Sequence, residues 1–320
     1  MARVLVTGAC GFIGRAVVAA FVENGYSVRA TAQEPPQPPF ANNVEVRQHP
    51  DLQQTRDWGP LLEGVDAIVH LAGLPPGRRG IAAAALYDEA NRHVTARLAA
   101  PAARAGLKHF VFVSSIRAQT GASADHALTE LDTAAPTDAF GRSKLAAEEA
   151  VRASGVPYTI LRPVPVYGPG VKGILALLLR AARSPLPLPL KDFLSRRSLL
   201  SIDNFVSALA FALETPPSGE TYVVADPGIP PRFGDIAATL RRAEGRRPLI
   251  VPMDTQYVEL SLRLIGRADL WEQLGASLRV DPAKLVAAGW RPAHDTRDGL
   301  AAWALKTSAQ QSAAAPLTQT

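Results

Sequence analysis

The chain has 320 residues, 47% hydrophobic and 20% charged, which excludes disorder over most of its length and supplies one large domain with an appendage, or two unequal lobes. Its 34 basic and 29 acidic residues leave a net charge of +5, dispersed rather than run together, so a small anionic ligand is expected and a nucleic-acid partner is not. Cys10 is the sole cysteine, no apolar run reaches membrane-spanning length, and the start, Met1-Ala2-Arg3, leads straight into a strand; no disulfide, no metal site, no membrane partner and a cytoplasmic location are expected.

In chain order, Val4-Leu5-Val6 is the short apolar run of a buried parallel strand, and Gly11 to Glu23 follows with Ile13, Val17, Val18, Phe21 and Val22 at helical spacing before Gly25. A second strand, Ser27 to Ala32, ends in the loop Pro35-Pro36-Gln37-Pro38-Pro39, and Val44-Glu45-Val46 reads as a third. Ala67 to Leu71 and Phe110 to Ser114 are the fourth and fifth strands, separated by an alanine-rich helix over Ile81 to Ala105. A helix over Thr137 to Ala153 and a sixth strand, Tyr158 to Leu161, complete the alternation. Strands alternating with helices predict an α/β fold with a doubly wound parallel sheet and right-handed crossovers. Prolines at 163, 165, 169, 185, 187 and 189 break the pattern, so residues 1–162 are read as the first domain and 163–305 as a smaller C-terminal lobe. Tyr222 to Ala225 is expected to return to the sheet as a strand, and Lys306 to Thr320 to be a disordered tail.

Thr7-Gly8-Ala9-Cys10-Gly11-Phe12-Ile13-Gly14 joins the first strand to the first helix. Gly8 permits a tight turn, Gly11 lets backbone approach a pyrophosphate, and Gly14 lets the helix pack close to the sheet, while the helix start offers N–H donors to an anion. A turn of this composition between a strand and a helix predicts a dinucleotide site.

The spacing Gly-x-x-Gly-x-x-Gly resembles the extended short-chain dehydrogenase/reductase superfamily, in particular its NAD-dependent nucleotide-sugar epimerase, dehydratase and ketoreductase members. Asp51-Leu52 resembles that family's adenine-contacting pair, His70-Leu71-Ala72-Gly73 its motif after strand four, and Asn91 its helix asparagine. Ser114-Ser115 ends strand five, Arg162-Pro163 through Val166-Tyr167-Gly168-Pro169-Gly170 resembles the segment after strand six, and Arg196 precedes Asp203 by seven residues, as in the family. Local alternatives stand beside these: a packed strand residue for His70, a structural role for Tyr167, and a helix cap for Asp203. The resemblance implies a Rossmann-type fold with NAD or NADP held by Gly8, Gly11, Phe12, Ile13, Gly14, Asp51, Leu52, Leu71, Ala72, Gly73, Asn91, Lys144, Pro163 and Val166. Thr31-Ala32-Gln33 carries no acid until Glu34, and Arg15 or Arg29 stands within reach of a 2′-phosphate, so the reading leans to NADP.

The family's Tyr-x-x-x-Lys reads here Phe140-Gly141-Arg142-Ser143-Lys144. The resemblance implies that a tyrosine hydroxyl would move the substrate proton, Lys144 would lower its pKa and hold the cofactor ribose, and Ser115 would bond the substrate oxygen. Phe140 has the ring without the titratable proton, and general acid/base catalysis is worth about two to four powers of ten. Three accounts are open: lost activity with retained binding, an engineered change, or another acid acting through Ser115 or a water on Lys144. Tyr87 is read as a buried aromatic rather than a replacement.

Lys172 and Arg196 are the candidate cations for a substrate diphosphate. With Arg196-Arg197-Ser198-Leu199, Leu278-Arg279-Val280-Asp281 and Gly289-Trp290 they resemble ketoreductases and 4-epimerases of UDP-sugars, although Pro165 replaces an asparagine many epimerases carry. Two functions follow: hydride transfer at C4 of a UDP-sugar, impaired by Phe140, or a non-catalytic NAD(P)-binding sensor or interaction module. The helices Ile81 to Ala105 and Thr137 to Ala153 are expected to pair in a homodimer.

Overall fold

A computed structural model describes residues 2–48, 51–55, 57–78, 80–217, 219–264, 271 and 275–314. Its centre is a seven-stranded, all-parallel sheet ordered β10-β7-β5-β4-β1-β2-β3, formed by β1 (Arg3–Thr7), β2 (Ser27–Ala32), β3 (Glu45–Gln48), β4 (Ala67–His70), β5 (His109–Val113), β7 (Tyr158–Pro163) and β10 (Thr221–Val224). The run expected at Tyr222 thus joins the sheet, beside β7. Two-stranded pieces made by β6 (Ala127–Leu128) with β11 (Arg279–Val280), and β8 (Val166–Tyr167) with β9 (Leu200–Ser201), tie later segments to earlier ones.

The central strands carry apolar residues on both faces because helices cover both. On one side α1 (Phe12–Glu23) and α7 (Ile202–Glu214) bury Val17, Val18, Phe21, Phe205 and Leu209 against the sheet. On the other, α4 (Val94–Arg104) and α5 (Ala139–Ala153) bury Leu98, Ala99, Ala102, Ala147 and Val151. A separate core, built from Leu175, Leu178 and Leu179 of α6 (Ile174–Ala182), Phe233, Ile236 and Leu240 of α8 (Phe233–Ala243), and Leu300 and Trp303 of the C-terminal helix Thr296–Ala314, anchors the later part of the chain.

The strand order reverses at β1, which has β2 on one side and β4 on the other. At such a switch point the loops leaving adjacent strands diverge and open a crevice at their carboxyl ends. The glycine turn after β1, Leu71–Gly73 after β4, Ser114–Ser115 after β5 and the end of β7 at Pro163 all meet this edge.

Three expectations are corrected. The segment from Lys306 is not a disordered tail through its described part: the helix continues to Ala314, and Lys306 Nζ donates to Asp203 Oδ2 at 2.7 Å; residues 315–320 lie outside the described residues. Asp203 is accordingly no cap, a role filled by Ser201, whose side chain accepts from Asn204 N. The helix expected over Ile81 to Ala105 is interrupted: α3 (Ile81–Tyr87) passes through a π-helical turn, Asp88–His93, into α4. Among the described residues, no helix is long and apolar enough to cross a membrane.

Candidate active site

Gly8 has φ +69°, and a Cβ there would lie 2.8 Å from Ala72 N, so the turn after β1 presses directly on the chain leaving β4. Gly11 N donates to Gly8 O at 3.1 Å, and a Cβ on Gly14 would meet that oxygen at 2.2 Å. Only glycine fits at positions 8 and 14. The first turn of α1, at Phe12, Ile13 and Gly14, holds N–H groups that have no acceptor within the helix, and it carries no acidic residue. The backbone therefore has the form of a pyrophosphate cradle at a helix start. The Phe12 ring reaches across to Gly168 and Gly170, 3.7 Å from where a Cβ would stand on each.

Thr7 Oγ1 sits 2.7 Å from His70 Nδ1, and His70 Nε2 lies 3.0 Å from Thr95 Oγ1. Thr95 spends its single proton on Asn91 O at 2.5 Å, so Nε2 is the donor to Thr95 and Nδ1 accepts from Thr7. His70 is therefore a packed, neutral strand residue; burial first, and the charge of Lys144 second, push its pKa down to about 3.

The π-helical turn carries Asn91 into the crevice, nearly fully buried. Its Oδ1 accepts from Leu74 N at 2.7 Å, and its Nδ2 donates to Ser143 Oγ at 2.9 Å. Ser143 in turn donates to Phe140 O at 2.7 Å. Gly73 lies inside this arrangement, where a Cβ would stand 2.7 Å from Asn91 Oδ1 and 3.5 Å from Lys144 Nζ.

Lys144 is buried, donates to Val113 O at 2.9 Å, and lies 5.0 Å over the Phe112 ring. Burial lowers its pKa to about 8, against the opposing pull of the Glu148 carboxylate. One turn beyond, Glu148 is wholly buried: Oε1 accepts from Ser114 Oγ at 2.5 Å and Arg162 Nε at 2.9 Å, while Oε2 accepts from Arg162 Nη2 at 2.6 Å and Arg152 Nη2 at 2.9 Å. Arg162 also donates to Gln119 Oε1 at 3.0 Å. This network clamps α5 to the ends of β5 and β7.

Ser115 is half-buried and caps the short 3-10 turn Ile116–Ala118, accepting from Arg117 N at 3.1 Å and keeping its own proton to donate. The start of α5 packs on that turn. Asp138 Oδ1 accepts from Gly141 N at 2.7 Å, Asp138 pairs with Arg117, and a Cβ on Gly141 would stand 2.1 Å from Arg117 O. Phe140 is buried with its ring edge-on to Tyr87, centroids 5.7 Å apart. Tyr87 is a buried aromatic whose hydroxyl donates to Pro75 O at 3.1 Å and accepts from Arg78 N at 2.9 Å.

Asp51 closes its own turn by accepting from Gln53 N at 2.8 Å, and Leu52 packs on the cluster that holds Trp58. Pro163 ends β7 and Val166 pairs with Leu200. Arg29 is buried and its guanidinium is engaged within the fold, donating to Glu45 Oε2 at 2.9 Å and to Leu61 O and Glu63 O at 2.8 Å. Arg15 stays on the surface, held by Gln37 O and Pro38 O and lying over Phe40.

Lys172 is exposed on the loop before α6, whereas Arg196 is half-buried and donates to Pro230 O at 2.8 Å; no hydrogen bond or ion pair joins the two among the described residues. Arg197, not singled out as a site residue, binds Ala276 O at 3.0 Å and Ala122 O at 3.3 Å, and so fastens the lobe to the loop beyond Ser115. Tyr167 is structural, donating to Asp226 Oδ2 at 2.8 Å.

A glycine cradle at the switch point of a doubly wound parallel sheet, with a buried lysine and a strand-end serine beside it, defines a Rossmann-type dinucleotide-binding protein of the short-chain dehydrogenase/reductase class. The sequence profile of the NAD dependent epimerase/dehydratase family matches residues 4–225, and the chain belongs to that family. It is 28% identical over 306 residues to UDP-glucose 4-epimerase of Vibrio cholerae, covering 92% of each chain. It is 34% identical over 217 residues to ceramide reductase of Caulobacter vibrioides, covering 68% of this chain and 62% of that one. UDP-glucuronic acid 4-epimerase from Bacillus cereus, in complex with UDP-glucuronic acid and NAD, superposes with a TM-score of 0.77 at 22% identity over 97% of this chain and 99% of that one. A tyrosine-to-phenylalanine mutant of the same enzyme, in complex with UDP-4-deoxy-4-fluoro-glucuronic acid and NAD, gives 0.76 at 21% identity and the same coverage.

Proposed function

We propose that this protein is an NAD(P)-dependent nucleotide-sugar enzyme, moving hydride at C4 of a UDP-sugar as an epimerase or 4-ketoreductase, with turnover reduced by Phe140. The observation that carries the reading is the intact frame around the missing hydroxyl: Lys144 hung from Val113 O, Gly73 enclosed by Asn91, and Ser115 with a proton to give. Resemblance to the Vibrio cholerae epimerase supports it because that likeness runs through the C-terminal lobe, whereas the likeness to ceramide reductase covers a smaller share of the chain. The Bacillus cereus mutant supports retention of binding, since that protein holds a substrate analogue and NAD without its tyrosine hydroxyl.

The bound nicotinamide would supply or accept the hydride. Gly8, Gly11 and Gly14 with Phe12 and Ile13 hold the pyrophosphate, Asp51-Leu52 the adenine side, and Leu71, Ala72, Gly73, Asn91, Pro163 and Val166 the nicotinamide side, with Lys144 on the ribose. Ser115 donates to the substrate oxygen, and Lys172 and Arg196 face the diphosphate. The lean to NADP rests on Gln33 and on Arg15, Arg29 being committed elsewhere. Residues 1–162 form the cofactor domain and 163–305 the substrate lobe, and two cytoplasmic copies pair through α3, α4 and α5.

A second reading, a non-catalytic NAD(P)-binding sensor, is favoured by Phe140 alone. NAD(P)H fluorescence with and without UDP-sugars, in this chain and in Phe140→Tyr, separates the two. Binding by both forms with hydride transfer raised about 100- to 10,000-fold in Phe140→Tyr supports the enzyme. Binding by both with no transfer to any 4-keto or 4-hydroxy UDP-sugar refutes it.

A further inference from the structure

Removing the phenol leaves the question of which group would move a proton in its place, and the structure narrows the choice by what each neighbour already does. His70 has both ring nitrogens committed to Thr7 and Thr95 and is held neutral. The hydroxyl of Tyr87, although its ring touches that of Phe140, donates to Pro75 O and accepts from Arg78 N. Ser115 can pass a proton on but stores none. Lys144 is different: of its three N–H groups one goes to Val113 O, no other hydrogen bond engages Nζ among the described residues, and Nζ lies beside Gly73, 3.5 Å from where a Cβ would stand there.

We propose that in this chain Lys144 itself gives and takes the substrate proton, directly or across one water, in the role a phenol would fill at position 140. The inference rests on the hydride-transfer reading above. In the reducing direction hydride adds to the carbonyl carbon, the C–O π pair becomes an alkoxide lone pair, and an Nζ proton moves to that oxygen, leaving a neutral amine that solvent reprotonates. Oxidation runs the same steps backwards.

The surroundings suit the task. The charged and titratable groups around Nζ are neutral His70 on β4 and the Glu148 carboxylate on α5, with Arg162 of β7 bound to both oxygens of Glu148 and the Arg117–Asp138 pair at the start of α5. Burial brings the ammonium down to about 8, where it exchanges a proton near neutral pH, and Glu148 keeps it from falling further. Reduction needs the ammonium, so its rate falls as pH rises through about 8; oxidation needs the amine, so its rate rises through the same value.

The test begins on the ligand-free full-length chain, labelled with ε-¹³C lysine. Of the six lysine signals, one should titrate near pH 8 and vanish in Lys144→Arg. The unsubstituted chain, given NAD(P)H and a 4-keto UDP-sugar, should show a rate limb at that same pH. At saturating NAD(P)H, turnover should drop at least about 100-fold in Lys144→Arg, whose guanidinium holds its proton. In Phe140→Tyr the limb should move away from the lysine's titration. A Lys144 signal titrating above 10, a pH-independent rate, or turnover that survives Lys144→Arg overturns the proposal. If Phe140→Tyr is active and the unsubstituted chain is inert, the proposal fails and the hydride-transfer reading stands; if both are inert, both fail.

Discussion

Glu148→Gln should be among the most damaging conservative substitutions in the chain. The carboxylate is wholly buried and accepts four hydrogen bonds, three of them from the guanidinium groups of Arg152 and Arg162, and the Arg162 side chain is itself only 7% exposed. An amide preserves one accepting edge and turns a pair of donors toward the other. Arg162 is then a buried cation without its counter-charge, a situation that costs about 3–5 kcal/mol. Urea unfolding followed by far-UV circular dichroism should show a loss of that size with an unchanged slope. Because the cost lies in the orphaned arginine, Arg162→Met in the Glu148→Gln background should cost less than the sum of the single changes, with a coupling of about 1–3 kcal/mol. A loss under about 1 kcal/mol, or strict additivity, would refute the view that this pair clamps α5 to the sheet.

Gly141→Ala forces a methyl to within 2.1 Å of Arg117 O; it should destabilise by about 1–3 kcal/mol in the same assay and weaken dinucleotide binding by shifting α5 from the Ser115 turn. Gly73→Ala, whose Cβ would meet Asn91 Oδ1 at 2.7 Å, should weaken NAD(P)H binding at least about 10-fold in a fluorescence titration and destabilise by about 1–3 kcal/mol in the unfolding assay. Unfolded, His70 titrates near 6.5, but in the fold its pKa is about 3, so the unfolded chain binds the extra proton between these values. Its contribution is complete above about pH 6.5 and is lost as pH falls toward 3, and His70→Gln should flatten that slope in pH-dependent unfolding. Arg29→Met should cost about 2–4 kcal/mol and leave the NAD-to-NADP affinity ratio unchanged, since its three partners are structural.

The alternation of apolar runs and helical spacing was enough to read the sheet, because strands such as Phe110–Val113, buried on both faces, leave few other interpretations. The glycine turn was legible for a similar reason: at Gly8 and Gly14 contacts exclude every other side chain, so residue type reports geometry directly. What escaped was chemistry that depends on distant partners. Arg29 looked available for a phosphate because nothing in its neighbourhood along the chain predicts that Glu45, Leu61 and Glu63 converge on it. Glu148, four residues past Lys144, carries no mark in the sequence that separates it from any other helix acid; only the fold brings Ser114 and Arg162 against it. The ordered end of the chain depended on Trp303 and Lys306 meeting residues far back in the sequence.

Ala83, Tyr87, Asn91 and Thr95 recur at a strict interval of four and are all buried. On an uninterrupted α-helix each such step drifts by about 40°, so a row of four would wind about 120° around the cylinder. The wider π-helical turn takes up that drift and keeps the row facing the crevice, where its members meet Phe140, Ser143 and His70 in succession. The length of this segment is therefore as constrained as its composition. Deleting one residue between Asp88 and His93 would restore a smoother helix and at the same stroke turn Asn91 away from Leu74, so here an insertion or deletion would be a more severe change than most substitutions.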